Sequence, residues 1–155
     1  MSPRPQLDMT LPEILAFLRE PHTGVLSTIG SGGFPHSVGI YYALTDDPIE
    51  IHMWVYGKSQ KAVNVRRDPR AAVLVESGEP YQDLRGVLVR GNARIVTDVV
   101  QVLELGKTIY KRYFESRTGV PLADALPGIE RQSQKRVCLV LTASGFASWD
   151  HGRAG

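Results

Sequence analysis

Two lysines and a serine that favour anion binding lie close together in the segment "WVYGKSQKAVNVRR", residues 54–67. Lys58 and Lys61 carry positive charge, and Ser59 between them is a suitable N-cap for a short helix. The free N–H groups and the positive end of a helix N-terminus attract phosphate and carboxylate groups. The spacing therefore fits an anion site, although a capped surface helix whose lysines face water has the same pattern.

Three arginines belong to the same region, and the sequence leaves their role open. Arg66 and Arg67 end the short helix, and Arg70 follows the turn at Asp68-Pro69. These arginines form either a solvated edge of the fold or a basic groove for an extended anionic tail.

Two tryptophans are candidates for contact with a flat ligand. The predicted strand "IEIHMWVY" places Met53 and Val55 on one face and Trp54 on the other, close to the candidate anion site. Trp54 either borders a ring system or is a buried barrel tryptophan. Trp149, in the segment "GFASWDHG", packs either on the end of its own strand or on a partner subunit.

Other kinds of chemistry have weaker signals. The four histidines share no short ligand spacing and no acidic cluster accompanies them, so no metal site is predicted. The serines lack a nucleophile-elbow context, and the single cysteine, Cys138, lies within a strand-like run, so catalytic residues stay unassigned. The tetrad Gly30–Gly33 precedes a strand rather than a helix, which indicates a hairpin turn and not a phosphate loop.

The surrounding pattern predicts a mainly β fold with peripheral helices, in which antiparallel strands close into a barrel. A capping box at Thr10 predicts a helix over Leu11–Arg19, and Asp98 caps a longer helix. Residues 118–128 are expected to form a loop, and Gly91 indicates a bulge. Six to seven strands are expected, in segments 23–29, 34–44, 49–56, 70–77, 85–97 and 135–150, of which the last supplies a sixth strand and a short seventh.

The composition is that of one compact domain. The chain has 155 residues, 43% of them hydrophobic, and only residues 1–9 are expected to form a loose arm. A net charge of +2 is too small to indicate a nucleic-acid partner. No apolar run could span a bilayer and the N-terminal residues lack the core of a signal peptide, so no membrane association is expected and a cytoplasmic location is predicted.

Four segments together resemble a known family: "GVLSTIGSGGFPHSVGIYY", "GKSQKAVNVRRDPRAAVLV", "LRGVLVRGNARIVTD" and the terminal "SWDH". They look like the pyridoxamine-phosphate-oxidase-like split β-barrels, and within these most like the flavin/deazaflavin oxidoreductases that use coenzyme F420. The resemblance runs from about Leu11 to His151. It implies an FMN-binding-like split β-barrel and a homodimer whose subunits build two cofactor sites at their interface.

The resemblance also implies cofactor-binding residues. The cofactor phosphate is expected at the start of the short helix, at Lys58, Ser59, Gln60, Lys61 and Ala62. The ring is expected against one strand and the edge of the next, at His36, Val38, Ile40, Trp54 and Val55. Trp149 is expected to approach from the partner subunit.

The implied activity is an F420-dependent oxidoreductase that transfers a hydride from reduced F420 to an unsaturated or quinone-like organic acceptor. The basic groove at Arg66, Arg67 and Arg70 suits the polyglutamate tail of F420. The alternatives are an FMN-dependent oxidoreductase of the same fold and a non-catalytic flavin- or haem-binding protein. Cofactor chemistry needs no acid–base pair in the protein, and any proton is expected from solvent, Tyr41 or Tyr42.

Overall fold

A computed structural model describes residues 7–154, with seven strands in one antiparallel sheet and helices packed around it. The strands are β1 (Gly24–Ile29), β2 (Pro35–Ile40), β3 (Ala43–Asp46), β4 (Ile49–Tyr56), β5 (Arg70–Ser77), β6 (Arg85–Val96) and β7 (Arg136–Asp150). The helices are α1 (Leu11–Arg19), α2 (Gln60–Arg67), α3 (Val99–Tyr113), α4 (Glu115–Thr118) and α5 (Leu122–Ser133). The predicted fold class is confirmed.

The order of the strands explains why the barrel is split. The sheet runs β2-β1-β5-β6-β7-β4-β3, so its two edge strands are β2 and β3, which follow each other in the chain. Only Tyr41 and Tyr42 connect them, which brings the two edges of the sheet close together. The sheet therefore curls into a barrel that remains open between β2 and the β3–β4 pair.

Three of the predicted elements differ from the structure. Segment 34–44 breaks into β2 and β3 because the ring of Tyr42 turns into the core, whereas the C-terminal segment forms the single long strand β7. Residues 118–128 are mostly helical rather than a loop, since α5 begins at Leu122. Pro127 removes one hydrogen bond inside α5, and the packing of α5 against α3 compensates for that loss.

Other local predictions are confirmed. Thr10 and Glu13 form the capping box of α1. The segment Gly30–Gly33 forms the hairpin turn between β1 and β2. The ladder between β6 and β7 shifts register at Gly91, where an added Cβ would lie 1.9 Å from the carbonyl oxygen of Thr142. Glycine is required there because the two backbones approach so closely.

Apolar side chains fill the barrel and the space beneath α3. Met53 and Val55 belong to the barrel core, whereas Trp54 lies on the outer face of β4 against a second cluster formed by α3 and β7. Residues 7–9 pack on the end of β7, where Met9 is buried and its N–H donates to Ser148 Oγ. Residues 1–6 of the predicted arm lie outside the described part of the chain. In the range 7–154, every helix is too short or too polar to cross a membrane.

Candidate functional site

A cavity of about 460 Å³ opens at the split in the barrel. Its walls come from the edge strand β2, from β4 and from the helices α3 and α5. The first turn of α2 and the first residue of β7 complete them. The residues that line it are Gly39, Ile40, Tyr41, Trp54, Val55, Lys61, Gly106, Ile109, Tyr110, Phe114, Ala125, Gly128, Ile129, Gln132 and Arg136. The volume lies in the usual range for small-molecule sites, and the walls are largely apolar.

The structure brings part of the predicted site together in this cavity. Ile40, Trp54, Val55 and Lys61 line it. Lys58, Ser59, Gln60 and Ala62 lie in the turn and helix start that carry Lys61, and His36 and Val38 lie farther along β2; none of these six lines the cavity.

The start of α2 has the predicted cap. Ser59 Oγ accepts a hydrogen bond from the N–H of Ala62 at 3.4 Å, and the carbonyl of Ser59 accepts one from Val63 at 3.0 Å. The side chain of Lys61 extends from this turn toward the cavity and is half-buried there. Burial and, to a smaller extent, the positive charge of Arg136 lower the pKa of Lys61, so an anion nearby would stabilise its ammonium form.

A buried polar network sets the direction of α2. Asn64 is fully buried; its amide donates to Thr28 Oγ1 on β1 at 3.0 Å, and its carbonyl oxygen accepts from the side chain of Gln60 at 2.7 Å. Arg67 donates to the same oxygen at 3.1 Å. Because a buried amide is costly to leave unpaired, this network fixes the helix that positions Lys61.

The three arginines of this region are engaged within the fold. Arg66 donates to the carbonyl of Gly57 at 2.8 Å, and Arg67 donates to the carbonyl of Ile29 at 2.6 Å. Arg70 pairs with Asp68 through two hydrogen bonds and lowers the pKa of that carboxyl to about 2. These contacts hold turns in place, yet all three side chains remain exposed, so the basic groove for an acidic tail stays a prediction.

Arg136, the first residue of β7, also lines the cavity, and the sequence did not predict it as a site residue. Its Nη1 donates to the carbonyl of Trp54 at 3.0 Å, and its guanidinium carbon lies 3.8 Å from the ring centroid of Tyr56 and 4.7 Å from that of Trp54. Tyr56 is its direct cross-strand partner. The sequence could reveal this residue only through the pairing of β4 with β7, which no local pattern specifies.

Trp54 is held between a helix and a cation. An added Cβ at Gly106 of α3 would lie 2.7 Å from the indole Cζ2 of Trp54, so the helix packs directly on the ring. Within residues 7–154, the indole Nε1 and the Nε of Arg136 are both buried without a hydrogen-bond acceptor. Both nitrogens belong to cavity-lining side chains, but they are themselves closed off from the cavity, so a bound group could reach them only if these side chains moved.

The tyrosines of the site differ in what they can do. Tyr42 is fully buried, its hydroxyl donates to the carbonyl of Leu18 at 2.7 Å, and burial raises its pKa well above the usual value. The expectation that Tyr42 is a possible proton donor is therefore wrong. Tyr41 lines the cavity and is partly exposed, and Tyr110 of α3 lines it with its hydroxyl donating to the carbonyl of Val120.

Trp149 lies outside the cavity of its own chain, near the end of β7 opposite Arg136. Its indole covers Gly86 of β6, where an added Cβ would lie 2.3 Å from the ring. Trp149 thus packs on its own strand end, and its approach to a partner subunit stays a prediction.

Comparison with known proteins identifies the family. The family model described as pyridoxamine 5'-phosphate oxidase matches residues 10–150, nearly the whole chain. The chain belongs to this family. The resemblance to the pyridoxamine-phosphate-oxidase-like split β-barrel oxidoreductases is therefore confirmed, and the F420-using branch stays a prediction.

Three similar proteins place the chain within the family. A conserved hypothetical protein from Mycobacterium tuberculosis is 37% identical with a TM-score of 0.86, and the match covers 100% of this chain and 93% of the other. An F420 reductase is 25% identical with a TM-score of 0.63, over 85% of this chain and 94% of its own. The 5a,11a-dehydrotetracycline/5a,11a-dehydrooxytetracycline reductase of Streptomyces rimosus is 32% identical over 85 residues, 52% of this chain and 59% of the relative. The chain thus matches less than two thirds of that reductase.

Proposed function

We propose that this protein is an F420-dependent reductase that transfers a hydride from reduced F420 to an unsaturated or quinone-like organic acceptor. The observation that carries the proposal is the cavity at the split of the barrel, which combines an aromatic and aliphatic wall with a half-buried lysine. The likeness to an F420 reductase and to a dehydrotetracycline reductase supports this choice within the family.

The residues of the cavity fit such a cofactor. When bound, reduced F420 supplies the hydride, and the protein supplies binding, orientation and the exclusion of water. Lys61 would hold the phosphate together with the start of α2, while Ile40, Trp54 and Val55 border the ring. The helices α3 and α5 cover this part of the barrel and keep water out of it. Tyr41 is the one tyrosine of the predicted pair that can deliver a proton; otherwise solvent supplies it.

The outer face of the sheet supports the proposal of a homodimer. Val25, Leu74, Leu88 and Ala147 are successive cross-strand partners on β1, β5, β6 and β7, and they lie outside both apolar clusters of the fold. Trp149 lies in register with Gly86 on the same face. A continuous apolar row of this kind suits contact with a second subunit, which would place Trp149 at the interface.

FMN is the second candidate cofactor. Arg66, Arg67 and Arg70 each already bind an acceptor within the fold, so they lend less support to a groove for the polyglutamate tail that distinguishes F420. An FMN-dependent oxidoreductase and a non-catalytic flavin- or haem-binding protein therefore remain the alternatives. A cytoplasmic location likewise stays a prediction from the sequence.

Titration of the purified protein with F420 and with FMN tests the proposal. We expect F420 to bind, and we expect Lys61→Ala to weaken it on the order of 10- to 100-fold, as for a lost charged hydrogen bond. Lys111→Ala is the matched control, because Lys111 is exposed on α3 and does not line the cavity. Tight FMN binding without F420 affinity would contradict the choice of cofactor, and equal affinities of the two variants would contradict the phosphate assignment.

A further inference from the structure

The charged residues that line the cavity are all positive. Its lining contains two cations, Lys61 and Arg136, and no aspartate or glutamate. Neither cation forms an ion pair with a carboxylate of residues 7–154, whereas Arg70, Arg94 and Arg153 each do. Two like charges held together in a partly apolar cavity repel each other and lose hydration, and a bound anion would relieve both costs.

Arg136 is held in place by the fold rather than extended into water. Its Nη1 donates to the carbonyl of Trp54, its Nη2 donates to Gln132 Oε1 of α5 at 3.4 Å, and its guanidinium contacts the rings of Tyr56 and Trp54. Its Nε is buried without an acceptor among the described residues. A guanidinium fixed in this way needs little further ordering to bind an oxyanion, and its planar fork matches phosphate and carboxylate oxygens.

The chain places Arg136 beside the start of α2. Arg136 pairs with Tyr56 across the β4–β7 ladder, and the carbonyl of the neighbouring Lys135 accepts a hydrogen bond from Gly57 at 3.0 Å. Lys61 lies in the first turn of the helix that follows directly after Gly57. The two cations therefore reach one end of the cavity from two different elements.

We propose that Arg136 and Lys61 form a two-point binding site for the phosphate ester of the ligand that occupies this cavity. Arg136 supplies fork-shaped donors from the sheet, and Lys61 supplies a point charge from α2. The same guanidinium contacts Trp54, so it links the phosphate end of the site to the aromatic wall. This inference rests on the proposed function only in treating the cavity as the cofactor site, and it holds for a phosphate monoester such as FMN as well as for a diester such as F420.

Paired ligands with and without phosphate test the proposal. Binding of FMN and riboflavin, which differ only by the phosphate, and of F420 and the deazaflavin that lacks both the phosphate and the tail joined through it, is measured with the wild type, Arg136→Gln and Arg136→Lys. We expect Arg136→Gln to weaken the phosphorylated member of a pair on the order of 10- to 100-fold and to leave the other member within about threefold. Arg136→Lys keeps the charge but loses the fork, and should retain part of the affinity.

A control variant and the possible outcomes distinguish failure of the phosphate site from failure of F420 as the cofactor. Arg131→Gln removes the same charge from an exposed position on α5 outside the cavity, and it should leave all four ligands unaffected. Equal weakening of both members of a pair would show that Arg136 acts only by supporting Trp54, and would overturn the inference, as would no weakening at all. A phosphate-specific effect with FMN in a protein that does not bind F420 would support the site and reject F420 as the cofactor. A thermal melt of each variant shows whether it is folded.

Discussion

Glu50 is a buried carboxylate on β4 whose charge is balanced by its neighbours. Arg94 Nη1 lies 2.6 Å from its Oε2, and the hydroxyl of Thr142 donates to the same oxygen at 2.8 Å. The hydrogen bond from Arg94 is the main cause that lowers the pKa of Glu50, and burial acts in the opposite direction. The stabilisation is therefore present above the pKa of an unfolded glutamate and is lost as the pH falls through the lower folded value.

We expect Glu50→Gln to lower the free energy of unfolding at pH 7 by roughly 1–3 kcal/mol, because a charged hydrogen-bond partner of Arg94 is lost. The difference from the wild type should shrink as the pH falls below the ordinary glutamate pKa of 4.5 and Glu50 itself becomes protonated. Urea unfolding at pH 7 and at a series of lower pH values measures it. Glu104→Gln, at an exposed acid paired with Lys107, is the control and should change little. A difference that stays constant with pH would contradict the assignment.

Single residues were predictable where their signal is local. Ser59 and Lys61 follow a strand and a glycine in the chain, so the adjacent residues are enough to predict the helix cap and the positive charge beside it. Arg136 is 75 positions away from Lys61 in the sequence and meets it only through the pairing of β4 with β7. The engagement of Arg66 by a backbone carbonyl was equally hidden, because nothing in the sequence specifies which acceptor a surface arginine finds.

Helix α3 is the element that shapes the wall of the cavity. Gly106 lets it approach Trp54, and the same missing side chain leaves room for Ile129 of α5, 3.1 Å from where a Cβ would lie. The sequence predicted α3 from its cap and apolar spacing. It did not predict α5, because Pro121 and Pro127 favour a loop and the apolar face of α5 is stabilised only by contact with α3.

Gly106→Ala tests this close packing. Alanine raises helix propensity by about 1 kcal/mol, yet overpacking against Trp54 costs about 1–3 kcal/mol, so we expect a lower melting temperature and weaker ligand binding. Gly128→Ala on α5 is the control for stability alone, because Gly128 also lines the cavity; its Cβ would meet only Arg131 Nη2 at 3.7 Å. It should be neutral or stabilising. A stabilised Gly106→Ala variant with unchanged ligand affinity would contradict the role of α3.

At the scale of the whole molecule, the fold class was predictable because it depends on many strands at once. Alternating apolar residues in β1, β4 and β6 and the glycine turn between β1 and β2 all favour one antiparallel barrel. The position of the split was not predictable from these patterns. It follows from the order of the sheet, in which consecutive strands β2 and β3 lie at opposite edges.

The proposed homodimer makes a prediction at the same scale. Leu88→Arg places a charge in the apolar row on the outer face, so we expect it to convert a dimer into a monomer in light scattering after gel filtration. Val100→Arg adds the same charge at an exposed apolar residue on α3 and should leave the dimer intact. A wild type that is monomeric, or a dimer that Leu88→Arg does not affect, would rule out this face as the interface.

Anaerobic single-turnover oxidation of reduced F420 tests the central proposal most directly. The reduced cofactor, labelled with deuterium at its hydride position, is mixed with the protein and a panel of enones and quinones. We predict acceptor-dependent oxidation by the wild type, with deuterium recovered on the acceptor when it is an enone, and a much slower reaction with Lys61→Ala at the same cofactor concentration. Reduced F420 that binds but stays reduced with every acceptor, or that does not bind at all, would contradict the account.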